Sequence, residues 1–363
     1  MNIPFSFFKK YDWMLIGCAL GIAVFGLGAI YSYGLAQQDF SLIQKQSVFL
    51  VLGLLAMVLV SFFDYRILRN NSYLILILYF ICLALLAGLH FFAPSIRGTR
   101  GWYRLGFLSF DPIEPAKLVF MVLLAKYFSM RHVQMYKFRH IIFSGVYLVL
   151  MGFFIFIKPD LGGVAVLSFI WLGILIVSGI KIKHFLILVC CAALVAGFSW
   201  YFLLASYQKT RITAFLFPYD ILGTSWSQTQ TKISIGSGRF FGTGIGGDSQ
   251  VQYGFLPEPH TDFIFSAIAE QWGLAGIMAL FFLYLIFIWR ILKIAIQSQS
   301  NFPRLFAVGF AIMLITQFTI NIGMNLSLLP VVGIYLPLVS YGGSGLIANF
   351  IGIGILQSIK VRR

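Results

Sequence analysis

Long apolar runs, separated by mostly short polar segments, dominate the pattern of this chain. An α-helix needs about 20 apolar residues to cross the hydrocarbon core of a bilayer. Runs of roughly that length lie at 13–33, 46–63, 73–92, 115–130, 141–157, 164–180, 185–205, 263–289, 304–326 and 338–357. The pattern therefore predicts an all-α polytopic membrane protein with about ten transmembrane helices, which we interpret as one integral membrane domain over residues 1–363.

Two polar segments exceed ordinary connectors between helices. One covers residues 93–114, and the other, at 206–262, is by far the longest polar stretch. Loops of such length without secondary structure are usually either functional or disordered. The second segment is rich in aromatic side chains and has little low-complexity sequence, so we predict an ordered, functional loop outside the membrane.

Composition and charge place the chain in a membrane and orient it. The chain is 60% hydrophobic with a mean hydropathy of +0.92, which excludes a soluble globular domain. Lys and Arg number 26 against 11 Asp and Glu, and the enrichment of cations in cytoplasmic loops explains this excess better than nucleic-acid binding. With both termini in the cytoplasm, most cations lie inside, while most acids and residues 206–262 lie outside. We therefore predict an outward-facing reaction site in the cytoplasmic membrane.

The segment LPEPHTDFIFS, residues 256–266, leads into the eighth apolar run. Its prolines favour an extended approach, so Glu258, His260 and Asp262 are predicted to point the same way. Asp262 has two interpretations. It could cap the following helix, which would lower its pKa, or it could be a functional carboxylate at the membrane edge, with a pKa raised by burial and by Glu258.

Further candidate residues precede or begin the fourth run. Proline suits the first helical position, so Pro115 predicts Glu114 as the helix cap, with Lys117 on the same face. That pair could be a structural ion pair, or Lys117 could hold an anionic group of a ligand. Guanidinium groups upstream suit phosphate or could anchor the chain at the interface; they belong to Arg97, Arg100 and Arg104.

Three other patterns are weaker signals. A formal G-x-G-x-x-G at 242–247 lacks the βαβ unit that a dinucleotide site needs, so the glycines are predicted to allow tight turns or close backbone approach. Prolines and a glycine pair interrupt residues 325–345, and broken backbone at membrane depth must be buried in protein or line a cavity. The four cysteines fall in apolar runs and are predicted to be small buried hydrophobes rather than disulfides or metal ligands.

These segments together resemble the SEDS family, the bacterial shape, division and sporulation proteins. The resemblance runs almost end to end, through RGWYRLG…FDPIEPAK, KPDLGG, IGSGRFFGTGIG, LPEPHTDFIF and LPVVGIYLPLVSYGGSG. Within the family the chain is more similar to the RodA type, which serves cell elongation, than to the FtsW type. It departs from the usual Gln, Ser, Pro and Ser of the family at Asp111, Ile113, Tyr335 and Gly345.

The resemblance implies a peptidoglycan glycosyltransferase that polymerises lipid II, with ten helices and a catalytic aspartate that falls on Asp262. It also implies a class B penicillin-binding protein as partner, beside other elongation-complex membrane proteins and membrane lipid. The chemistry agrees, because turning an α-linked donor into a β-1,4 polymer is one inversion that needs one general base. Candidate substrate contacts are Glu258, His260, Glu114, Lys117, Arg104 and Arg211, of which the last three would neutralise the leaving pyrophosphate. No cofactor is implied with certainty; a divalent cation, Mg or Mn, could share that neutralisation.

Two alternatives use the same helices. A lipid II flippase would need acids and bases near mid-membrane, where Glu270 is the deepest candidate. A non-catalytic scaffold of the cell-wall machinery would not require Asp262. Polymerisation of lipid II by the purified protein would separate the enzyme from both.

Overall fold

The computed structural model of the chain describes residues 6–94, 101–105, 108–130, 138–217, 225–247 and 250–362. Helices dominate these residues, and one short antiparallel hairpin interrupts them. In chain order the elements are α1 Ser6–Lys9, α2 Trp13–Gln37, α3 Ser41–Phe62, α4 Tyr65–Asn70, α5 Ser72–Phe92, β1 Tyr103–Leu105, β2 Leu108–Phe110, α6 Ile113–Ser129, α7 Phe138–Ile157, α8 Leu161–Val177, α9 Ile182–Phe202, α10 Ser206–Leu216, α11 Trp226–Ser237, α12 Ile264–Ile296, α13 Asn301–Asn325 and α14 Gly343–Val361.

Each of the ten predicted apolar runs has a helix in the structure, which confirms an all-α polytopic membrane protein. Eight of these helices are long and apolar enough to cross a membrane. The other two, α6 and α8, have 17 residues each, so the count of ten spans is approximate. Helix ends differ from the predicted ones, most at α12, which ends at Ile296 rather than at 289, while α14 begins at Gly343 rather than at 338.

Small residues let the helices around α14 approach closely. An added Cβ on Gly53 of α3 would lie 2.8 Å from the Phe350 ring of α14, and one on Gly354 would lie 2.7 Å from the Met57 carbonyl oxygen. Interfaces between membrane helices depend on such small residues because lipid gives no hydrophobic drive for helix association. This packing fixes α14, whose start carries the last outer segment of the chain.

Helix α9 lies at the periphery, with none of its residues buried within the protein. The prediction that all four cysteines are buried is therefore wrong for Cys190 and Cys191, which are exposed on α9. Hydropathy alone does not separate a lipid-facing cysteine from a core one, because both environments are apolar.

The long segment 206–262 contains secondary structure of its own, α10 and α11. After α11, its glycine-rich part packs against a break in α12, where Gly273 has φ 63° and ψ −162°. Four backbone hydrogen bonds bridge the break, from Thr243 to Glu270, Gly244 to Gln271, Leu274 to Arg239, and Ala275 to Phe240, with N···O distances of 2.9–3.1 Å. Backbone groups freed by a break inside a membrane helix need such partners.

The glycines of this segment therefore allow its backbone to lie directly against the backbone of α12. An added Cβ on Gly242 would lie 2.1 Å from the Gln271 carbonyl oxygen, and one on Gly273 would lie 2.4 Å from the Gly242 nitrogen. The carboxylate of Glu270 holds the next stretch, accepting hydrogen bonds from the amides of Gln250 at 2.6 Å and Val251 at 3.4 Å. Glu270, the deepest carrier candidate in the sequence, thus secures the loop.

The two ends of α12 lie at opposite faces of the membrane in the predicted topology. Arg290 near its far end pairs with the buried carboxylate of Asp12, with Nε 2.9 Å from Oδ1, so the chain start and Arg290 share one face of the bundle. Asp262 lies just before the other end. We predict that the first face is cytoplasmic and that α10 lies outside the cell.

A labelling experiment checks this orientation. In a background with all four cysteines replaced, we expect Thr213→Cys on exposed α10 to react with a membrane-impermeant thiol reagent in intact spheroplasts. The matched control is Gln299→Cys, exposed between α12 and α13 at the opposite face, which should react only after lysis. The reverse pattern would overturn the orientation. Ser249, another position suited to this test by sequence, lies outside the described residues.

Candidate functional site

Asp262 lies in a turn that ends where α12 begins. The predicted extended approach is wrong: residues 259–263 form turns, and the amides of Thr261 and Phe263 both donate to the Glu258 carbonyl oxygen. Glu258 itself has φ 43°, a left-handed conformation that is uncommon for a residue other than glycine. The turn, rather than a strand, brings the Glu258, His260 and Asp262 side chains to one place.

The capping interpretation of Asp262 finds no support in this geometry. Helix α12 starts at Ile264 with Phe263 at the cap position, and no side chain there accepts a capping hydrogen bond. Instead, Oδ1 of Asn325 on α13 accepts hydrogen bonds from the amide of Ser266 at 3.1 Å and from its hydroxyl at 2.6 Å. A neighbouring helix thus supplies the cap. The Asp262 carboxylate does not cap α12 and is available for another role.

Two buried asparagines of α13 hold the backbone of Asp262. The amide nitrogen of Asn321 donates to the Asp262 carbonyl oxygen at 2.9 Å and to the Ile334 carbonyl oxygen at 2.7 Å. The amide nitrogen of Asn325 donates to the same Asp262 oxygen at 3.1 Å. Both side chains are fully buried. Sequence reasoning missed them, although polar residues one turn apart in an apolar helix are themselves a signal of function or pairing.

The surroundings of Asp262 suit a proton acceptor. Burial raises the pKa of Asp262 to about 6, the carboxylates of Glu258 and Asp160 push it in the same direction, and Arg211 opposes them. A general base works best when its pKa lies close to the operating pH. Asp262 therefore ionises near neutral pH and can take a proton from a bound hydroxyl group.

Glu258 and His260 line the approach to Asp262. His260 Nε2 lies 3.7 Å from Glu258 Oε2. The imidazole stacks on the ring of Tyr33 at 4.9 Å between centroids, and the His260 carbonyl oxygen accepts from the amide of Tyr341 at 2.8 Å. The pair thus joins α2 and the last outer segment to the turn that carries Asp262.

Glu114 and Lys117 form the second cluster. Helix α6 begins at Ile113, so the prediction of Glu114 as its cap is wrong; Oδ1 of Asp111 accepts from the Ile113 amide instead. The predicted pairing is present, with Lys117 Nζ 2.8 Å from Glu114 Oε1 and both side chains buried. The hydroxyl of Tyr335 donates to the other oxygen, Oε2, at 2.5 Å.

The non-helical segment between α13 and α14 connects the two clusters. An added Cβ on Gly333 would lie 3.7 Å from Oδ2 of Asp262, and Tyr335, two residues on, touches Glu114. Ser340 donates to the Thr261 carbonyl oxygen at 2.7 Å. Leu336, Leu338 and Val339 are buried, as broken backbone at membrane depth requires. One short segment thus borders both the carboxylate and the buried ion pair.

The KPDLGG motif adds a third charged group beside these clusters. Lys158 Nζ lies 3.1 Å from both carboxylate oxygens of Asp111. Asp160 caps α8, accepting from the Gly163 amide at 2.7 Å. Burial raises the pKa of Asp160, while Lys158 and Lys117 act to lower it. Asp160 and Lys158 were missed as site residues, although their motif stood out in the sequence.

The candidate arginines separate in the structure. Arg211 on α10 is exposed, reaches the Val331 carbonyl oxygen at 3.4 Å, and is close enough to lower the pKa of Asp262. Arg104 is exposed on β1, opposite Ser109, and no contact in the described part of the chain joins it to Asp262 or Lys117. Arg97 and Arg100 lie outside the described residues.

The arrangement of acids does not form a preassembled metal site. Among the described residues, no group of three or more His, Cys, Asp or Glu side chains is placed to hold a metal ion. Side-chain cations lie near carboxylates at the site, as in the Lys117–Glu114 and Lys158–Asp111 pairs. The geometry as a whole can accept a proton at Asp262 and offer positive charge to an anionic ligand.

Comparison with known proteins identifies the family. A family model described as "Cell cycle protein", for FtsW, RodA and SpoVE, matches residues 10–363. The chain belongs to the SEDS family. One relative, the peptidoglycan glycosyltransferase MrdB of Escherichia coli K12, is 35% identical over 346 residues, which cover 94% of this chain and 92% of MrdB.

Solved structures of SEDS proteins share this fold. A chain from a structure titled as the structural coordination of polymerization and crosslinking by a peptidoglycan synthase complex is 33% identical, with a TM-score of 0.81 over 96% of this chain and 97% of that one. The rod shape determining protein RodA of Thermus thermophilus is 31% identical, with a TM-score of 0.70 over 96% of each chain. These matches support the RodA-like interpretation of the sequence.

Proposed function

We propose that this protein is a peptidoglycan glycosyltransferase that polymerises lipid II at the outer face of the cytoplasmic membrane, for cell elongation and shape. The observation that carries the proposal is the carboxylate of Asp262, which does not cap α12 and has a pKa raised to about 6. The segment that borders it also borders the buried Glu114–Lys117 pair. The names of relatives and the titles of solved structures refer to peptidoglycan synthesis.

In this proposal Asp262 is the general base of an inverting transfer. It removes the proton from the acceptor sugar hydroxyl as that oxygen attacks the anomeric carbon of the donor, and the bond to the polyprenyl pyrophosphate breaks. The two asparagine contacts to its carbonyl oxygen fix its position, because a base must stay within hydrogen-bond reach of the proton it takes. Glu258 and His260 line the same turn and are placed to contact the sugars.

The second requirement of the transfer is to neutralise the negative charge on the departing pyrophosphate. Lys117 carries three N–H donors, of which Glu114 takes one, so the others can meet phosphate oxygens. Arg211, exposed and near Asp262, is placed to add a guanidinium. Arg104 has no described contact with this cluster and stays a candidate from the sequence alone. A divalent cation, Mg or Mn, could share this neutralisation of the pyrophosphate charge.

Partners follow from the family. The solved relative with a TM-score of 0.81 comes from a complex titled for both polymerization and crosslinking. We propose that a class B penicillin-binding protein cross-links the strands made here, in an assembly with other elongation proteins. The protein would lie in the cytoplasmic membrane with both termini inside, so that its loop 206–262 works on the outer surface.

The experiment that tests the function is polymerisation of purified lipid II by the detergent-solubilised protein, read as glycan length on a gel. An enzyme makes polymer without a partner or a bilayer. A flippase has no membrane to cross under these conditions and makes none, and a scaffold makes none without its partner. Absence of polymer from folded protein, both alone and with its transpeptidase, would overturn the proposal.

Lys117→Ala tests the phosphate role. We expect turnover to fall roughly 100-fold, as for loss of one electrostatic contact to a developing charge. Because the change leaves the carboxylate of Glu114 buried and unpaired, which is strongly destabilising, Lys117→Met with Glu114→Gln should be measured beside it. The matched control is Lys126→Ala, the same change at the other end of α6, where activity should stay close to wild type. Wild-type turnover of folded Lys117→Ala would leave only a structural ion pair.

A further inference from the structure

Tyr335 is the one aromatic side chain that the described contacts place against both members of the Glu114–Lys117 pair. Its hydroxyl donates to Oε2 of Glu114 at 2.5 Å, while Lys117 Nζ is 2.8 Å from Oε1. The ring itself lies beside Lys117, with Nζ 5.1 Å from the ring centroid. Glu114 therefore divides its charge between two donors, one on each carboxylate oxygen.

Several groups hold the Tyr335 ring in this place. The side chains of Gln317 on α13 and Asn349 on α14 lie close to its hydroxyl group. Both of those side chains are buried. A ring fixed by groups from three helices has little freedom to move aside, which makes its packing neighbours important.

Gly345, in the first turn of α14, provides the space for the ring. An added Cβ at Gly345 would lie 3.0 Å from both Cζ and the hydroxyl oxygen of Tyr335, closer than ordinary van der Waals contact. The two positions at which this chain departs from the family pattern near α14 thus touch each other. A side chain at 345 would push the ring away from Glu114.

We propose that Tyr335 is a positioning residue, seated against Gly345, that holds Glu114 so that Lys117 keeps N–H donors for the pyrophosphate of the substrate. Without the hydroxyl, the second carboxylate oxygen of Glu114 has Lys117 as its remaining strong donor. The ammonium group is then drawn more fully into the ion pair, and less of its hydrogen-bonding capacity reaches the ligand. This inference rests on the proposed phosphate role of Lys117.

The first test is kinetic and uses Tyr335→Phe, which keeps the ring. We expect kcat/KM for lipid II to fall roughly tenfold or more, the effect of one hydrogen bond to a charged group. The loss should appear mainly in kcat, as for Lys117→Ala, because the charge on the leaving pyrophosphate develops in the transition state. In a Glu114→Gln background the same change should add nothing. Equal losses in both backgrounds would show that Tyr335 does not act through Glu114.

The second test is a stability cycle that needs no activity. Gly345→Ala should lower the midpoint of thermal unfolding of the detergent-solubilised protein, but in a Tyr335→Ala background it should cost little, because the clashing ring is gone. Gly342→Ala is the matched control, since an added Cβ there meets nothing within 4 Å. Additive effects of Gly345→Ala and Tyr335→Ala would overturn the proposed fit.

The two tests keep this inference separate from the proposed function. If Lys117→Ala retains full turnover, the phosphate role fails whatever Tyr335 does. If Lys117→Ala is impaired while Tyr335→Phe has wild-type kcat/KM, the function stands and the positioning role of Tyr335 fails. The inference is supported in full by two results: a lowered kcat/KM in Tyr335→Phe that disappears in the Glu114→Gln background, and a non-additive stability cycle.

Discussion

Asp262→Asn should abolish polymerisation, lowering turnover by roughly 100-fold or more, because an amide cannot accept the proton of the acceptor hydroxyl. The variant should fold normally. The hydrogen bonds that fix this turn go to the Asp262 carbonyl oxygen, which the substitution keeps, and α12 takes its cap from Asn325. The measurement is glycan formation from purified lipid II, beside thermal unfolding of both proteins.

The pH profile of the wild-type protein gives an independent reading of the same residue. The base acts in its ionised form, and burial raises the pKa of Asp262 to about 6. We therefore expect kcat/KM to be level above pH 6 and to fall about tenfold per pH unit below it.

Two neighbours provide matched variants for this profile. Glu258→Gln removes a negative charge that raises the pKa of Asp262, so the acid limb should move to lower pH. Arg211→Gln removes a positive charge that lowers the pKa, so the limb should move to higher pH. An acid limb that stays in place in both variants, or Asp262→Asn with wild-type turnover, would assign the base to another group, with Glu258 the next candidate.

Gly242→Ala should separate the glycine-rich segment that follows α11 from its packing surface on α12, and should inactivate the protein. Two costs combine at this position. Gly242 has φ 84°, which costs another residue about 1–2 kcal/mol, and its added Cβ would lie 2.1 Å from the Gln271 carbonyl oxygen. Forcing these backbones apart adds about 1–3 kcal/mol and breaks hydrogen bonds that bridge the α12 break just below Asp262.

Gly244→Ala is the control that separates the two costs. Gly244 has the same φ of 84°, but an added Cβ there meets nothing within 4 Å. Thermal unfolding in detergent should therefore show a small loss for Gly244→Ala and a much larger one for Gly242→Ala, with polymerisation retained in the first and lost in the second. Equal losses would mean that backbone conformation alone matters and that the segment does not depend on close contact with α12.

The sequence by itself determined the helices, one buried ion pair and the family. Ten apolar runs predicted ten helices, though not all of their ends, because about 20 apolar residues have few other stable states in a bilayer. Spacing on α6 was enough to predict the Glu114–Lys117 pair, since residues three apart share a helix face. Motif order was enough to place the chain in its family. All of these signals are local or cumulative along the chain.

The tertiary structure decided what each polar residue does. Asp262 was equally a cap or a catalyst in the sequence, and only Asn325, contributed by another helix, shows that the cap comes from elsewhere. Glu270 was a carrier candidate until the loop amides of Gln250 and Val251 were found on its carboxylate. The contacts of Tyr335 with Gly345 and Glu114 bring together three separate segments of the chain. Buried polar groups take their roles from partners distant in sequence, so no local pattern can assign them.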